Sequence, residues 1–313
     1  MEKNSKIYIS GHKGLAGSAI KRLLEKKGFN NLVYRTKEEL DLRDSVKVKE
    51  FFNIEKPDYV LVAAARVGGI IANKEKKGEF IYDNLMIQNN ILHNSYRNNV
   101  KKLIFLSSNC MYPKDAKQPI KEESLFNGKL EESNDAFGVA KIAGVQMCLA
   151  YNQQYGTKFI PIVPASMYGI NDNFDEENSH FTAALLRRFH EAKEKGKSEV
   201  VVWGTGKPRR ELLFSDDLAE ACLFLMENYD NGLINIGTGI DYEIIEIAGI
   251  IKEVVGFKGK IVLDRSKSDG VMRKFLDSSK INNLGWRART GLREGLEKTY
   301  EWYLKASFKN KKK

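Results

Sequence analysis

At 313 residues the chain can bury one large core or two lobes, and its three scattered cysteines, Cys110, Cys148 and Cys222, have neither metal-site nor disulfide spacing. That usage points to a reducing compartment; no apolar run could span a bilayer and Met1-Glu2-Lys3-Asn4-Ser5 is no signal peptide, so a cytoplasmic protein without metal or membrane is expected. A formal net charge of +10 raises nucleic acid, yet no such motif is present, and the charge reads as lysine-biased composition, a basic pocket and a basic tail at 309–313.

Lys6-Ile7-Tyr8-Ile9-Ser10 predicts a short strand, followed at once by Gly11-His12-Lys13-Gly14-Leu15-Ala16-Gly17 and a helix expected from Ser18. A glycine-rich turn between strand and helix lets a pyrophosphate approach the backbone and the helix N-terminal N–H groups. The Gly-x-x-Gly-x-x-Gly spacing of Gly11, Gly14 and Gly17 is the variant that short-chain dehydrogenases use, although glycines alone also make plain turns. The second strand, Asn31–Arg35, ends about where an NAD enzyme places an acid on the ribose 2′-hydroxyl. Arg35-Thr36-Lys37 stand there instead, with Lys13 in the glycine loop. Cations suit a 2′-phosphate, so NADP(H) is expected; a solvated basic loop is the plain alternative.

Further strands are expected at Tyr59–Ala64, Leu103–Ser107 and Phe159–Pro164, with helices at Asn84–Asn98 and Asp135–Tyr155 between them. Strands this apolar are covered on both faces, which predicts an α/β fold with a doubly wound parallel sheet of the Rossmann type. Beyond Tyr168 the alternation loosens into polar loops, the mark of a smaller C-terminal substrate lobe. The expected division is 1–166 plus about 211–238 for the dinucleotide, and about 167–210 with 239–308 for the substrate.

Ligands in such folds lie over the carboxyl ends of the strands, and several of those ends carry chemistry. Ser107-Ser108-Asn109-Cys110 follows the fourth strand, where a hydroxyl can hydrogen-bond a ketone oxygen. Asn134-Asp135-Ala136-Phe137-Gly138-Val139-Ala140-Lys141 has the shape of a Tyr-x-x-x-Lys helix start, with phenylalanine at the tyrosine position. A spacing of four puts both side chains on one helix face, where a lysine ammonium would lower the pKa of a phenol; Phe137 fills that volume and transfers no proton. Pro164-Ala165-Ser166-Met167-Tyr168-Gly169 follows the fifth strand and leads to Asn171-Asp172-Asn173-Phe174 and His180. Trp203-Gly204-Thr205-Gly206-Lys207-Pro208-Arg209-Arg210 offers guanidinium groups to a diphosphate, or an ordinary surface ion-pair loop.

From Lys6 to about Tyr303 the chain resembles the GDP-L-fucose synthase family of extended short-chain dehydrogenases. The most specific stretches are Gly11 to Ile20, Ala64-Ala65-Arg66-Val67-Gly68-Gly69-Ile70-Ile71-Ala72-Asn73, and Asp172-Asn173-Phe174 leading to Asn178-Ser179-His180. The resemblance implies epimerisation at C3 and C5 of a GDP-4-keto-6-deoxy sugar, then reduction of C4 with NADPH. It also implies a homodimer through helices Asn84–Asn98 and Asp135–Tyr155. Carried over by position, Ser108 would bind the C4 carbonyl, Lys141 would hold the nicotinamide ribose, Phe137 would stand at the proton donor, and Cys110 and His180 would exchange protons. Gly11, Lys13, Gly14, Leu15, Gly17, Arg35, Asp41, Leu42, Ala64, Ala65, Lys141, Pro164 and His180 would line the cofactor. Ser108, Asn109, Val67, Asn173, Arg188, Trp203, Arg210, Asp269 and Lys274 would meet the nucleotide sugar.

This chain departs from the family pattern at Ala165-Ser166, Ser107, Asn109 and above all Phe137. The first group flanks the sugar, which admits a C4 reductase of a 6-deoxy-heptose without epimerisation. Phe137 reads either as an engineered exchange that traps a complex or as a natural loss, and the filled state of the other catalytic positions favours exchange. A silent nucleotide-sugar-binding protein is the reading from a different class; a basic nucleic-acid binder on the same fold is the least economical.

Overall fold

The computed structural model describes residues 1–176 and 179–310. In chain order its strands are β1 (Ile7–Ser10), β2 (Leu32–Val33), β3 (Tyr59–Val62), β4 (Lys102–Leu106), β5 (Phe159–Pro164), β6 (Ser166–Tyr168), β7 (Glu199–Trp203), β8 (Arg209–Phe214), β9 (Ile234–Ile236), β10 (Asp241–Glu243), β11 (Lys260–Asp264) and β12 (Arg273–Lys274). The helices are α1 (Leu15–Lys26), α2 (Ser45–Glu55), α3 (Ile70–Glu75), α4 (Lys77–Arg97), α5 (Asp135–Tyr155), α6 (Phe181–Glu194), α7 (Ser215–Asn228), α8 (Ile244–Val255), α9 (Ser279–Asn283) and α10 (Leu292–Asn310).

Six strands form one parallel sheet in the order β2-β1-β3-β4-β5-β9. The chain passes from β1 to β2 on one side and then to β3 on the other, so the order reverses between β1 and β3 and leaves a crevice at their carboxyl ends. The residues of β1, β4 and β5 are all buried, which is why these segments read as unbroken apolar runs. Helices α4 and α5 pack along one another, as do α1 and α7. Leu24, Phe52, Ile104, Val145 and Leu218 lie in the core that joins the sheet to these helices.

A second sheet is centred on β8, which pairs antiparallel with β10 and parallel with β12 and β6. Its core gathers Leu186, Phe189, Phe214, Ile251 and Leu296. Strand β8 serves both cores, giving Leu213 to the first and Leu212 and Phe214 to the second. Leu276, Ile281 and Trp286, late in the chain, pack into the first core.

Helix α5 and strand β5 span the expected residues, while several boundaries differ. Helix α1 starts at Leu15 and not at Ser18, because Gly14 already has the extended backbone of a cap and Gly17 is inside the first turn. Helix α4 begins seven residues before Asn84, with Glu79 in its first turn facing the partial positive charge of the helix end. The stretch after β5, for which no strand is expected, contains β6. Lys309, expected in the tail, is part of α10; Lys311, Lys312, Lys313 and Asn178 lie outside the described residues. No described helix is long and apolar enough to cross a membrane.

Candidate active site

A cleft of about 2070 Å³ runs from the carboxyl ends of β1 and β3 to the second sheet. At its floor Gly11 has φ +72°, and a Cβ there would meet the Ala64 backbone nitrogen at 2.7 Å. A Cβ on Gly17 would meet the Gly11 carbonyl oxygen at 2.1 Å, so helix α1 can close on the loop only with glycine at that position. Gly14 differs: its Cβ would touch only the Gly11 oxygen, at 3.4 Å, and would otherwise occupy the cleft. No side chain caps α1 and its first turn carries no acid, so its N-terminal dipole is open to an anion. The cradle therefore fits the pyrophosphate of a dinucleotide.

Along one wall, Arg35 donates to Glu55 Oε1 at 2.7 Å and lies over the Phe51 ring. This spends part of its donor fork and fixes the guanidinium beside the cleft. Asp41 pairs with Arg43 at 2.6 Å, which holds its carboxyl down at about 2, and Arg43 continues to Asp83 at 3.1 Å. Asp83 also takes Arg66 at 2.7 Å, while Asn84 bonds both the N–H and the carbonyl of Arg66, each at 3.0 Å. The loop that carries Ala64, Ala65 and Val67 is thus tied to α4 by a chain of ion pairs.

The centre of the cleft is built by β4 and α5. Ser108 caps a one-turn helix, Asn109–Met111, its Oγ accepting the Cys110 N–H at 3.3 Å. Helix α5 comes so close that a Cβ on Gly138 would meet the Cys110 carbonyl oxygen at 2.9 Å, and this approach sets Phe137 and Asn134 beside Cys110. Phe137 packs with Ala72 and Phe80 in a small apolar cluster that Cys110 borders. One turn on, the buried Lys141 donates from Nζ to the Leu106 carbonyl at 2.8 Å and lies over the Phe105 and Phe137 rings at 4.7 and 5.8 Å from their centroids. Burial disfavours its charged form and lowers its pKa to about 8.

The opposite wall comes from the segment after β6. His180 caps α6 and lines the cleft; its ring is exposed toward that space yet enclosed by dense protein, and this desolvation lowers its pKa. Asp172 is 7% exposed, and one of its oxygens has no partner among the described residues. Burial pushes its carboxyl up to about 7. Arg188 donates to the Val201 carbonyl and Arg210 to the Arg209 carbonyl; burial disfavours both charges. Trp203 is 58% exposed with Lys267 over its ring, a flat apolar face open to a base. Asp269 accepts from Thr205 N and Oγ1, both at 2.7 Å, and so shapes the Thr205 turn.

The residues assigned above to catalysis, cofactor and sugar nucleotide all line this one cleft, including Asn109, Pro164, Asn173 and Lys274. Arg209, the guanidinium next to Arg210, does not, because it is paired with Asp241 at 3.1 Å. Arg35, Asp41 and Asp269 reach it already engaged with protein partners. Asn134 and Asp172 were not among them. Nothing in the local pattern marks Asn134, since an asparagine ahead of a helix is an ordinary cap.

Residues 7–237 match the model of the NAD dependent epimerase/dehydratase family. GDP-L-fucose synthase 1 of Arabidopsis thaliana is 53% identical over 306 residues, covering 97% of this chain and 94% of that protein. The chain belongs to the GDP-L-fucose synthase family. Two solved structures share its architecture over nearly the whole chain. A GDP-6-OMe-4-keto-L-xylo-heptose reductase from C. jejuni superposes with a TM-score of 0.93 at 45% identity, over 98% of this chain and 99% of that one. A GDP-L-fucose synthetase from Naegleria fowleri bound to NADP has a TM-score of 0.92 at 31% identity, covering 98% and 95%.

Proposed function

We propose that this chain reduces the C4 ketone of a GDP-4-keto-6-deoxy sugar with NADPH and exchanges protons at C3 and C5, with the reduction impaired by Phe137. The observation that carries this reading is one cleft joining an anion cradle at Gly11–Gly17 to Ser108, Cys110, Lys141 and His180. The family relationship and the NADP complex of the Naegleria relative support the cofactor. When bound, NADPH supplies hydride to C4.

The chain's own residues do the rest. Helix α1 receives the pyrophosphate, and Arg35, with Lys13, attracts a 2′-phosphate. Trp203 offers a face to guanine, and Arg188 and Arg210 balance the diphosphate of the sugar. Ser108 donates to the C4 oxygen, which acidifies the hydrogens on C3 and C5 and stabilises their enolate. Cys110 and His180 take and return those protons from opposite walls. Lys141 orients the nicotinamide ribose. Phe137 has no hydroxyl, so the oxygen formed at C4 lacks its direct proton donor. Residues 1–166 with about 211–238 supply the cofactor-binding part and the remainder up to 308 the sugar-nucleotide part, with β8 shared between the two cores and Leu276, Ile281 and Trp286 returning to the first. A homodimer through α4 and α5 fits the exposure of Tyr82, Val139 and Tyr155 on those helices. Three free cysteines suit a cytoplasmic address.

A second reading, C4 reduction of a GDP-4-keto-6-deoxy-heptose without epimerisation, is supported in its heptose by the C. jejuni neighbour, a reductase of a 6-O-methyl 4-keto-heptose, and by the departure at Ala165-Ser166, which line the cleft. The test is to offer the chain and its Phe137→Tyr variant NADPH with hexose and heptose 4-keto substrates in deuterated water. Reduced hexose carrying deuterium at C3 and C5 supports the first reading, and unlabelled reduced heptose the second. Binding without turnover by either form would leave a silent nucleotide-sugar-binding protein.

A further inference from the structure

Asn134 occupies the cap position of α5, yet its side chain makes no capping bond. Asparagine is favoured there because its oxygen accepts a first-turn N–H, so the side chain forgoes its usual partner. Its Nδ2 donates instead to the sulfur of Cys110 at 3.1 Å. The thiol has an acceptor on the other side, Asn109 Oδ1, at 3.9 Å. The Asn134 Oδ1 is buried and has no partner among the described residues, so nothing else in the local network turns the amide this way. Close packing at Gly138 fixes the separation between α5 and Cys110. The neighbouring acid, Asp135, is tied to Lys77 at 2.8 Å, and Lys141 is bound to the Leu106 carbonyl.

We infer that Asn134 is the positioning residue for Cys110: its amide N–H holds the sulfur and stabilises the negative charge on it when Cys110 exchanges a proton next to the ketone. An N–H aimed at sulfur stabilises negative charge on it, whereas a carbonyl such as Asn109 Oδ1 accepts S–H and stabilises the thiol; the Asn134 contact at 3.1 Å is much the shorter of the two, against 3.9 Å. In the forward step the thiolate takes the proton from the carbon. The C–H electron pair becomes the C=C bond of the enolate, and the carbonyl π pair moves onto the C4 oxygen, where Ser108 donates. Return of a proton from the opposite wall, by the imidazolium of His180, inverts the centre. The inference rests on the proposed reaction only for this last use; the state of the sulfur can be read without substrate.

The experiment is alkylation of Cys110 by iodoacetamide across pH in the full chain, with the modified peptide identified by mass spectrometry. Cys148 and Cys222 are fully buried, which keeps the readout on Cys110. Asn134→Asp keeps the shape and a good helix cap but sets a carboxylate against the sulfur. It should slow alkylation at neutral pH about tenfold or more, move the midpoint of the profile upward and leave the high-pH plateau unchanged. Asn134→Ala should slow it less, and unchanged NADPH binding by both variants would show the fold intact. A merely structural role predicts that Asn134→Asp is harmless, and a profile identical to the parent would overturn the inference. Deuterium exchange on the 4-keto substrate separates the two levels. If the parent alkylates as described but exchanges no deuterium, the epimerase reading fails and the role of Asn134 at the sulfur stands. If the parent exchanges and Asn134→Asp exchanges equally fast, the positioning role fails.

Discussion

The Lys141 ammonium stands 5.8 Å from the centroid of the Phe137 ring and donates its hydrogen bond to the Leu106 carbonyl. A cation faces a ring where a phenol would have used it. Lysine and ring lie one helical turn apart on α5, a geometry that would activate an acid if one were present.

Phe137→Tyr should therefore raise the rate of C4 reduction by roughly 10²–10⁴-fold, the ordinary contribution of a positioned general acid. Single-turnover oxidation of NADPH measures it directly. A variant that turns over at the parent rate would mean that protonation at C4 comes from elsewhere.

Lys141 is buried with a pKa of about 8, below the ordinary 10.5 of a lysine. Between those values the unfolded chain holds a proton that the native one has released, so stability rises with pH through that window, and the penalty is complete below it. Removing the charge should help the fold: Lys141→Met should gain up to about 3 kcal/mol at pH 7 without cofactor. The gain should fade as pH approaches 10.5, and reduction should be lost. Paired thermal melts of parent and variant across pH test this.

Asp172 gives the opposite slope. Its carboxyl is raised to about 7 from 3.8, so between these values the native chain keeps a proton that the unfolded one has lost. Its contribution therefore falls as pH rises from about 4 to 7. Asp172→Asn should add at most about 4 kcal/mol at pH 8 and nothing near pH 3. Denaturant titrations at the two pH values decide it; equal effects at both would show that this carboxyl titrates normally.

Arg35 is held by Glu55 but keeps donors free for a phosphate. NADPH should bind more tightly than NADH by about 1–3 kcal/mol, the range of a charge-assisted hydrogen bond, and Arg35→Ala should remove most of that preference. Calorimetry with both cofactors provides the comparison, and equal affinities in the parent would refute the assignment.

The features legible in the amino-acid sequence are those that repeat locally. Glycines spaced by three between a strand and a helix, apolar runs at β4 and β5, and Phe137 four residues before Lys141 each state their geometry within a few residues. Such patterns arise from backbone sterics and helical period, so they survive without knowledge of the rest of the chain. The start of α1 escaped because a cap and a turn share the same glycines, and β6 escaped because three residues show no period. Which groups share a cleft, and what each is bonded to, emerges only on folding. Folding turned Asn134 from its helix toward Cys110, set Glu55 on Arg35 across 20 positions, and left Asp172 buried without a second partner. Hydrogen bonding and desolvation depend on neighbours brought together by folding, and those neighbours are distant in the chain.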